Sequence, residues 1–374
     1  MSLSVVLAGG GSAGHVSPLL AAADALVRAD PDTRITVLGT SEGLESRLVP
    51  ARGYQLRTIA KVPMPRRLGA DLIRLPGRLA GAVRATGDVL AEVQADVVAG
   101  MGGYVSPPAY LAARRAGLPI VVHEQNARAG IANRLGARLT RHVATAFDGT
   151  GLPHATRIGM PLRREITTLD RAGQRAAARA ELGLAADAPV LLVTGGSLGA
   201  QHINEAMAQV LADIVADPWL QVLHITGTDK AQPVRQAVAA AGAADRYHVV
   251  EYLDRMELAY AAADLVLCRA GASTVCELEV VGLPAVYVPL PIGNGEQRLN
   301  AQALVDAGGG LLIDDADLDG ARVRTEVFGL LGDSDRLRAM SAAAAGHGIA
   351  DADDRLARMV LSAVAQRDPA GERR

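Results

Sequence analysis

The sequence predicts two doubly wound α/β domains, each a parallel sheet covered on both faces by helices. Three observations carry this. Short β-branched runs alternate with longer alanine- and leucine-rich stretches along the chain, the pattern of βαβ units. A glycine-rich turn, Gly9-Gly10-Gly11-Ser12-Ala13-Gly14, follows the first such run, and a second, Gly195-Gly196-Ser197-Leu198-Gly199, follows another far downstream. The chain has 374 residues, 49% of them hydrophobic, enough for two cores at ~100–200 residues per domain.

The elements follow in order. Leu3–Ala8 is the first strand, apolar and closed by the glycines. Ser17-Pro18 opens a helix running to about Ala29, and Arg34–Gly39 is strand two. Val97–Gly100 and Ile120–His123 are buried strands with polar or glycine-bearing ends. A domain boundary is expected near Gly159–Arg171, giving an N-terminal domain over 1–163 and a C-terminal domain over 164–350. In the latter a helix over Arg171–Leu182 precedes the strand Val190–Thr194. Further strands lie near Gln221–Thr226, His248–Val250, Leu265–Cys268, Ala285–Val288 and Gly310–Ile313. Residues 351–374 hold a last helix, Asp351–Gln366, expected to pack back on the N-terminal domain, and a frayed tail. Open parallel sheets bind ligands at the carboxyl ends of their strands. Two such domains facing across a cleft would bring the strand-end motifs together.

Composition excludes several function classes. A net charge of -2 argues against a globally basic nucleic-acid binder, so no nucleic-acid partner is expected. The apolar content argues against disorder. Two cysteines, Cys268 and Cys276, are too few for a disulfide scaffold or a four-cysteine zinc site, and fit a reducing cytoplasm. The cations are 36 arginines and two lysines, Lys61 and Lys230, a bias read as genome base composition. Met1–Val5 shows neither the basic nor the apolar part of a signal peptide. The longest apolar stretch, Val280–Gly293, contains Pro284, Pro289 and Pro291 and is not a membrane span. Membrane contact is therefore expected to be peripheral.

The first glycine loop fits G-x-G-x-x-G, which lets backbone N–H groups approach an anion at a helix start, or merely turns the chain. A nicotinamide or flavin site would want an acid at the end of strand two. That end reads Leu38-Gly39-Thr40-Ser41, with no carboxylate before Glu42, so no such cofactor is expected. His15 follows the loop. A helix N-terminus disfavours its charged form, so it is either a neutral general base or a residue that packs or caps. In the second half, Cys268–Glu277 reads as a strand end, a turn at Gly271 and a helix capped by Ser273 or Thr274, suited to a diphosphate. Glu277, one turn beyond Ser273, can accept both ribose hydroxyls, or is a solvated helix glutamate. Glu296, Gln297 and Asn300 gather at another helix start and suit hexose hydroxyls, unless Asn294 there is only a cap.

Taken together, Gly9–Pro18, Met101–Pro107, His123–Asn126, Gly195–Gly199, Arg269–Glu277 and Glu296–Asn300, in this order, resemble the MurG family over about residues 5 to 365. These are the N-acetylglucosaminyltransferases of peptidoglycan synthesis. The resemblance implies the two-domain GT-B fold. It implies transfer of N-acetylglucosamine from its UDP-sugar, UDP-GlcNAc, to the lipid-linked muramoyl-pentapeptide lipid I, giving lipid II with inversion. By position it implies donor contacts from Arg163, Ser197, Leu253 (backbone, to uracil), Ala272, Ser273, Thr274, Val275, Cys276, Glu277 and Gln297, with Ser12, Ala13, Gly14 and Asn126 from the first domain. Two departures stand out. Ser12 and Ala13 replace the family's usual threonine and glycine, and Glu296 replaces an amide. A peripheral place on the cytoplasmic face of the plasma membrane is implied, with cell-wall or division machinery as partners.

Inversion needs one base and no enzyme nucleophile, unlike retaining glycosidase chemistry. The acceptor 4-hydroxyl attacks the anomeric carbon and UDP leaves from the opposite face. His15 is the leading base; His123, Glu124 and Asn126 compete as base or acceptor orienters. No Asp-x-Asp pair stands at a strand end, and Asp314-Asp315-Ala316-Asp317 reads as a loop, so neither an obligatory metal nor another cofactor is expected. Two competitors share the donor: a UDP-sugar 2-epimerase of the same fold, and a non-catalytic UDP-sugar sensor. Between Arg57 and Gly87 seven cations (Arg57, Lys61, Arg66, Arg67, Arg74, Arg78, Arg84) face one acid, Asp71, and Leu68, Leu72, Leu75, Leu79 and Val83 recur at helical spacing around Pro76. This window is either a docking face for an anionic membrane surface or a solvated helix whose leucines belong to the core.

Overall fold

The computed structural model describes residues 2–11, 13–62, 70–196, 199–217, 219–292 and 294–367. The chain divides into two units, Met1–Arg163 with Asp351–Arg374, and Arg164–Ala350.

The first unit is built on strands β1 (Ser4–Ala8), β2 (Arg34–Gly39), β3 (Gln55–Thr58), β4 (Val97–Gly100), β5 (Ile120–Glu124), β6 (His142–Thr145) and β7 (Ala155–Arg157). They pair in the order β3-β2-β1-β4-β5-β6-β7, all parallel. Helices α1 (Ala13–Ala29), α2 (Glu45–Ala51), α3 (Ala70–Glu92), α4 (Ser106–Arg115) and α5 (Ile131–Gly136) connect them. Both faces of the sheet are covered. Val5 and Leu7 enter a core with Leu26, Val37 and Ala99, whereas Val6 and Ala8 enter another with Leu38, Val98 and Tyr110. Burial on both sides explains why these strands read as continuous apolar runs.

The C-terminal helix Ala352–Ala365 belongs to this unit. Leu356, Ala357, Val360 and Ala363, one stripe at helical spacing, enter the same core as Leu7 and Leu26. Arg28 pairs with Asp353 at 2.5 Å and with Asp354 at 2.9 Å. Partly exposed pairs of this kind contribute ~0–1 kcal/mol, so the apolar stripe does most of the holding.

The second unit has strands β8 (Val190–Thr194), β9 (Gln221–Ile225), β10 (Tyr247–Val250), β11 (Leu265–Cys268), β12 (Ala285–Tyr287) and β13 (Gly310–Leu312). They pair in the order β10-β9-β8-β11-β12-β13, again all parallel. Its helices include α6 (Arg164–Thr167), α7 (Arg171–Glu181), α8 (Gln201–Ala208), α9 (Leu211–Ala216), α10 (Ala231–Ala240), α11 (Met256–Ala262), α12 (Ala272–Val281) and α13 (Glu296–Asp306). Arg171 fastens α7 to the ends of α11 and α12. It donates to the carbonyls of Tyr260, Ala263 and Gly282 at 3.2, 3.0 and 2.7 Å, which a helix end would otherwise leave unpaired. Burial lowers its pKa to about 10, so it stays charged at neutral pH. In each sheet the order reverses beside the first strand, so the loops after β1 and β4, and after β8 and β11, flank the switch points where open α/β sheets bind ligands.

One expectation needs correction, three strands went unread, and one open alternative is narrowed. Helix α1 begins at Ala13, not at Ser17, and Pro18 stands inside it. Its missing N–H removes one helical bond to the Gly14 carbonyl, a small cost because Gly14 is exposed. Strands β3, β6 and β7 carry too few apolar residues to announce themselves. Leu75 and Leu79 pack on the core, so these leucines of the basic window face inward; Arg66, Arg67 and Leu68 lie outside the described residues.

Candidate active site

In the first unit the strand ends carry three loops. The first glycine loop leads into α1, whose third residue is His15. The ring of His15 lies beside Gly102 in the loop after β4. That loop packs directly on the first: Gly103, at φ +80°, has a Cβ position 3.0 Å from the Gly10 carbonyl oxygen, so a side chain there would crowd that oxygen and strain the backbone. Burial depresses the pKa of His15, opposed by the charge of Glu45. The imidazole is neutral at pH 7, as a base requires, and the main cause is burial.

The third loop follows β5 and corrects two expectations. His123 is 1% exposed, and its Nε2 lies 2.9 Å from the Gly159 carbonyl oxygen. Burial lowers its pKa to about 4. It is a buried core residue bonded to backbone. Glu124 is 3% exposed. Its carboxylate accepts from Asn126 N (2.9 Å), Gly130 N (3.0 Å) and Asn133 Nδ2 (3.0 Å), so it shapes the loop and is not an available base. Asn133 is held in turn by Tyr110, whose hydroxyl donates to Asn133 Oδ1 at 2.7 Å. Asn126 is half-buried at the loop's start. Arg163 is half-buried at the end of this unit.

In the second unit the loop after β8 is shaped by backbone. A Cβ on Gly195 would overlap Ala200 N, and Gly199, at φ +65°, lies against the Thr226 carbonyl oxygen. The turn after β11 leads through Gly271, extended at φ -63° and ψ 143°, into α12. Arg269 is 9% exposed and donates to the Val288 carbonyl (3.1 Å) and to Asp315. Among the described residues, its Nε and the Ser273 hydroxyl oxygen are buried without a hydrogen-bond partner. Two orphaned polar atoms beside the start of α12 suit an anionic ligand. Ala272 and Thr274 are half-buried at the same turn, and Leu253 is half-buried after β10.

Glu277 is half-buried one turn along α12 and accepts from the Tyr260 hydroxyl at 2.6 Å. Val275 and Cys276 are buried, so a ligand would meet only their backbone, and burial raises the Cys268 thiol far from any nucleophilic role. Of the trio at the start of α13, Glu296 and Gln297 are half-buried, and Gln297 Oε1 accepts from Leu290 N at 3.0 Å. Asn300 corrects the third expectation: it is 1% exposed and donates to the Ala270 carbonyl at 3.3 Å, bracing the β11 turn where a hexose contact was expected. Ser12 and Ser197 lie outside the described residues, as does the side chain of Ala13. Sequence reasoning missed Glu45 and Tyr260, two side chains that touch site residues and come from distant positions in the chain.

Residues 5–145 match the glycosyltransferase family 28 N-terminal domain, and residues 190–356 match the family 28 C-terminal domain. The UDP-N-acetylglucosamine--N-acetylmuramyl-(pentapeptide) pyrophosphoryl-undecaprenol N-acetylglucosamine transferase of Mycolicibacterium smegmatis is 57% identical over 364 residues, covering 96% of this chain and 94% of that protein. The crystal structure of Acinetobacter baumannii MurG superposes with a TM-score of 0.77 at 30% identity, covering 96% of this chain and 99% of that one. A UDP-N-acetylglucosamine 2-epimerase structure shares the fold at a TM-score of 0.70 but only 16% identity, covering 98% of this chain and 97% of that one. Matched along both units, the chain belongs to the MurG family within glycosyltransferase family 28, with the GT-B fold.

Proposed function

We propose that this protein is an inverting glycosyltransferase that moves N-acetylglucosamine from UDP-GlcNAc to the 4-hydroxyl of the muramoyl sugar of lipid I, giving lipid II. The observation that carries this is the 57% identity to the M. smegmatis transferase, which runs through both units. The second unit supplies the donor side. The start of α12, with Arg269 and Ser273, takes the diphosphate, and Glu277 takes the ribose hydroxyls. Gln297 and Glu296 reach the hexose. The first unit supplies the acceptor side. His15 accepts the proton of the attacking hydroxyl as the bond to the anomeric carbon forms and the bond to UDP breaks. Charge grows on the departing diphosphate, where helix N–H groups and a cation stabilise it most. A radiolabelled transfer assay with lipid I tests the reading: labelled lipid II supports it. UDP-GlcNAc turning into its epimer without acceptor would move the protein to the 2-epimerases, and tight UDP-GlcNAc binding without turnover would make it a sensor.

Among the described residues, no helix is long and apolar enough to cross a membrane. Arg78 and Arg84 are exposed on α3, in the basic window of the first unit. A lipid-linked acceptor keeps its sugar near the bilayer, so this face is the proposed contact with an anionic membrane surface. Each arginine contributes ~1 kcal/mol, less with salt. Vesicle binding should therefore require anionic lipid and fall with ionic strength. A variant with Arg66, Arg67, Arg74 and Arg78 all changed to Glu should lose it while keeping activity on a soluble acceptor.

A further inference from the structure

We propose that Glu45 is a positioning residue for glycosyl transfer: its buried carboxylate fixes the path of the first glycine loop and, with it, the place of His15. The proposal rests on the transferase reading above. Glu45 opens α2 and has no exposed surface. One carboxylate oxygen accepts from Gly11 N at 2.8 Å. The other accepts from both the backbone N and the hydroxyl of Thr40, each at 2.8 Å. Gly11 follows β1 and Thr40 follows β2, so one side chain ties together the ends of two neighbouring strands at the switch point. Three glycines make room for it. A Cβ on Gly10, Gly39 or Gly43 would overlap the Glu45 side chain.

An isolated buried carboxylate is costly, and it persists only when hydrogen-bonded. Here burial pushes its pKa up, but the donors from Gly11 and Thr40 outweigh this and hold it below the usual carboxylate range. Glu45 is therefore ionised at neutral pH. Its charge raises the proton affinity of His15 against the larger effect of burial. The Gly102 backbone beside His15 and the Asn133 amide that approaches the same point carry no charge. Glu45 itself touches neither sugar. It acts through the loop and through the imidazole.

The test uses the full-length chain, UDP-GlcNAc and a soluble short-chain lipid I. Glu45→Gln keeps the shape but removes the charge and turns a donor toward the backbone N–H groups. Its kcat should fall ~10–100-fold, with UDP affinity within twofold of wild type. The acid limb of the kcat profile, and the His15 titration followed by NMR, should move to lower pH. Glu45→Asp keeps the charge on a shorter stem. It should recover part of the rate and leave the His15 titration near its wild-type position. An unchanged kcat and an unchanged His15 titration in Glu45→Gln would overturn the proposal, as would a rate loss matched by an equal loss of UDP affinity. If Glu45→Gln does not fold, Glu45→Asp decides: a kcat within twofold of wild type overturns it. Wild-type protein that makes no lipid II would sink the transferase reading instead, and the His15 titration would still decide whether Glu45 governs that histidine.

Discussion

The two glycine loops follow equivalent central strands, β1 and β8, and differ in what lies beneath them. Under the first sits an ionised carboxylate, Glu45, already bonded to Gly11 N. The loop after β5 repeats the device with Glu124. Under the described part of the second, Gly195 and Gly199 pack on backbone at Ala200 and Thr226 and Gly196 N donates to the Thr194 hydroxyl at 3.2 Å, and the neighbouring turn carries Arg269, whose ion-pair partner is Asp315. A second negative charge within ~4 Å of a carboxylate meets roughly 4 kcal/mol of repulsion at an effective dielectric of about 20. Similar glycine patterns thus serve opposite electrostatic ends. In the proposed function the acid-backed loop serves a neutral hydroxyl and a neutral base, and the turn into α12 beside the second loop takes the diphosphate.

The sharpest way to break this division is His15→Ala. Removing a general base costs ~10²–10⁴-fold in kcat, while UDP affinity, which the proposed function gives mainly to the other unit, should stay near wild type. Burial lowers the His15 pKa, so wild-type activity should hold below pH 6.5 before protonation ends it, and the variant should lose that acid limb. A kcat within a few-fold of wild type would place the base elsewhere, and His123 and Glu124, both buried, would be the next to test.

A stability test comes next, because each unit also buries a histidine, His123 and His224. Burial lowers His123 to about 4 and His224 to about 3. Both pKa values are depressed, so between 6.5 and 4 the unfolded chain binds the proton first and stability falls as pH falls. For His123 the loss by pH 4 is on the order of 3 kcal/mol. Denaturant midpoints measured from pH 7 to pH 4 should drop in wild type and drop less in His123→Asn. Parallel slopes in the two proteins would mean that His123 is not held neutral.

These buried groups mark where the sequence stopped being legible. Strands β2, β4, β8 and β11 were readable residue for residue because apolar runs closed by glycine or a polar turn allow little else. The chain positions of the site loops were readable for the same reason. Strands β3 and β7 were not, since edge strands such as Gln55–Thr58 and Ala155–Arg157 are partly solvated and need no apolar run. The facing of side chains was not legible either. In β5 every residue from Ile120 to Glu124 is buried, and a sheet covered on both faces offers no alternation to separate His123 in the core from Asn126 at the loop. Glu45 was invisible for a third reason: its contact with Gly11 spans 34 residues, and only the three-dimensional cradle of Gly10, Gly39 and Gly43 reveals it.

On the donor side, Glu277→Ala should remove a charge-assisted hydrogen bond worth ~1.5–3 kcal/mol, or roughly 10–100-fold. The KM for UDP-GlcNAc should rise by about that factor, with UDP inhibition weakened in parallel and the His15 titration unmoved. Undiminished UDP affinity would take Glu277 off the ribose.

The smallest effect expected is that of Tyr260→Phe. Tyr260 is 2% exposed; its carbonyl is held by Arg171 and its hydroxyl donates to Glu277 at 2.6 Å. A group so fixed limits the directions in which the carboxylate can point, yet Glu277 is half-buried and water can replace the lost donor. Net hydrogen-bond contributions of this kind are ~0.5–1.5 kcal/mol, so the donor KM should rise ~2–10-fold with kcat unchanged. The decisive measurement is the double variant. If Tyr260 acts only by aiming Glu277, Tyr260→Phe should cost nothing further once Glu277 is Ala, because residues sharing one contact are not additive. The same rise in KM in both backgrounds would mean that Tyr260 shapes the donor site by another route, and that Glu277 holds its direction without it.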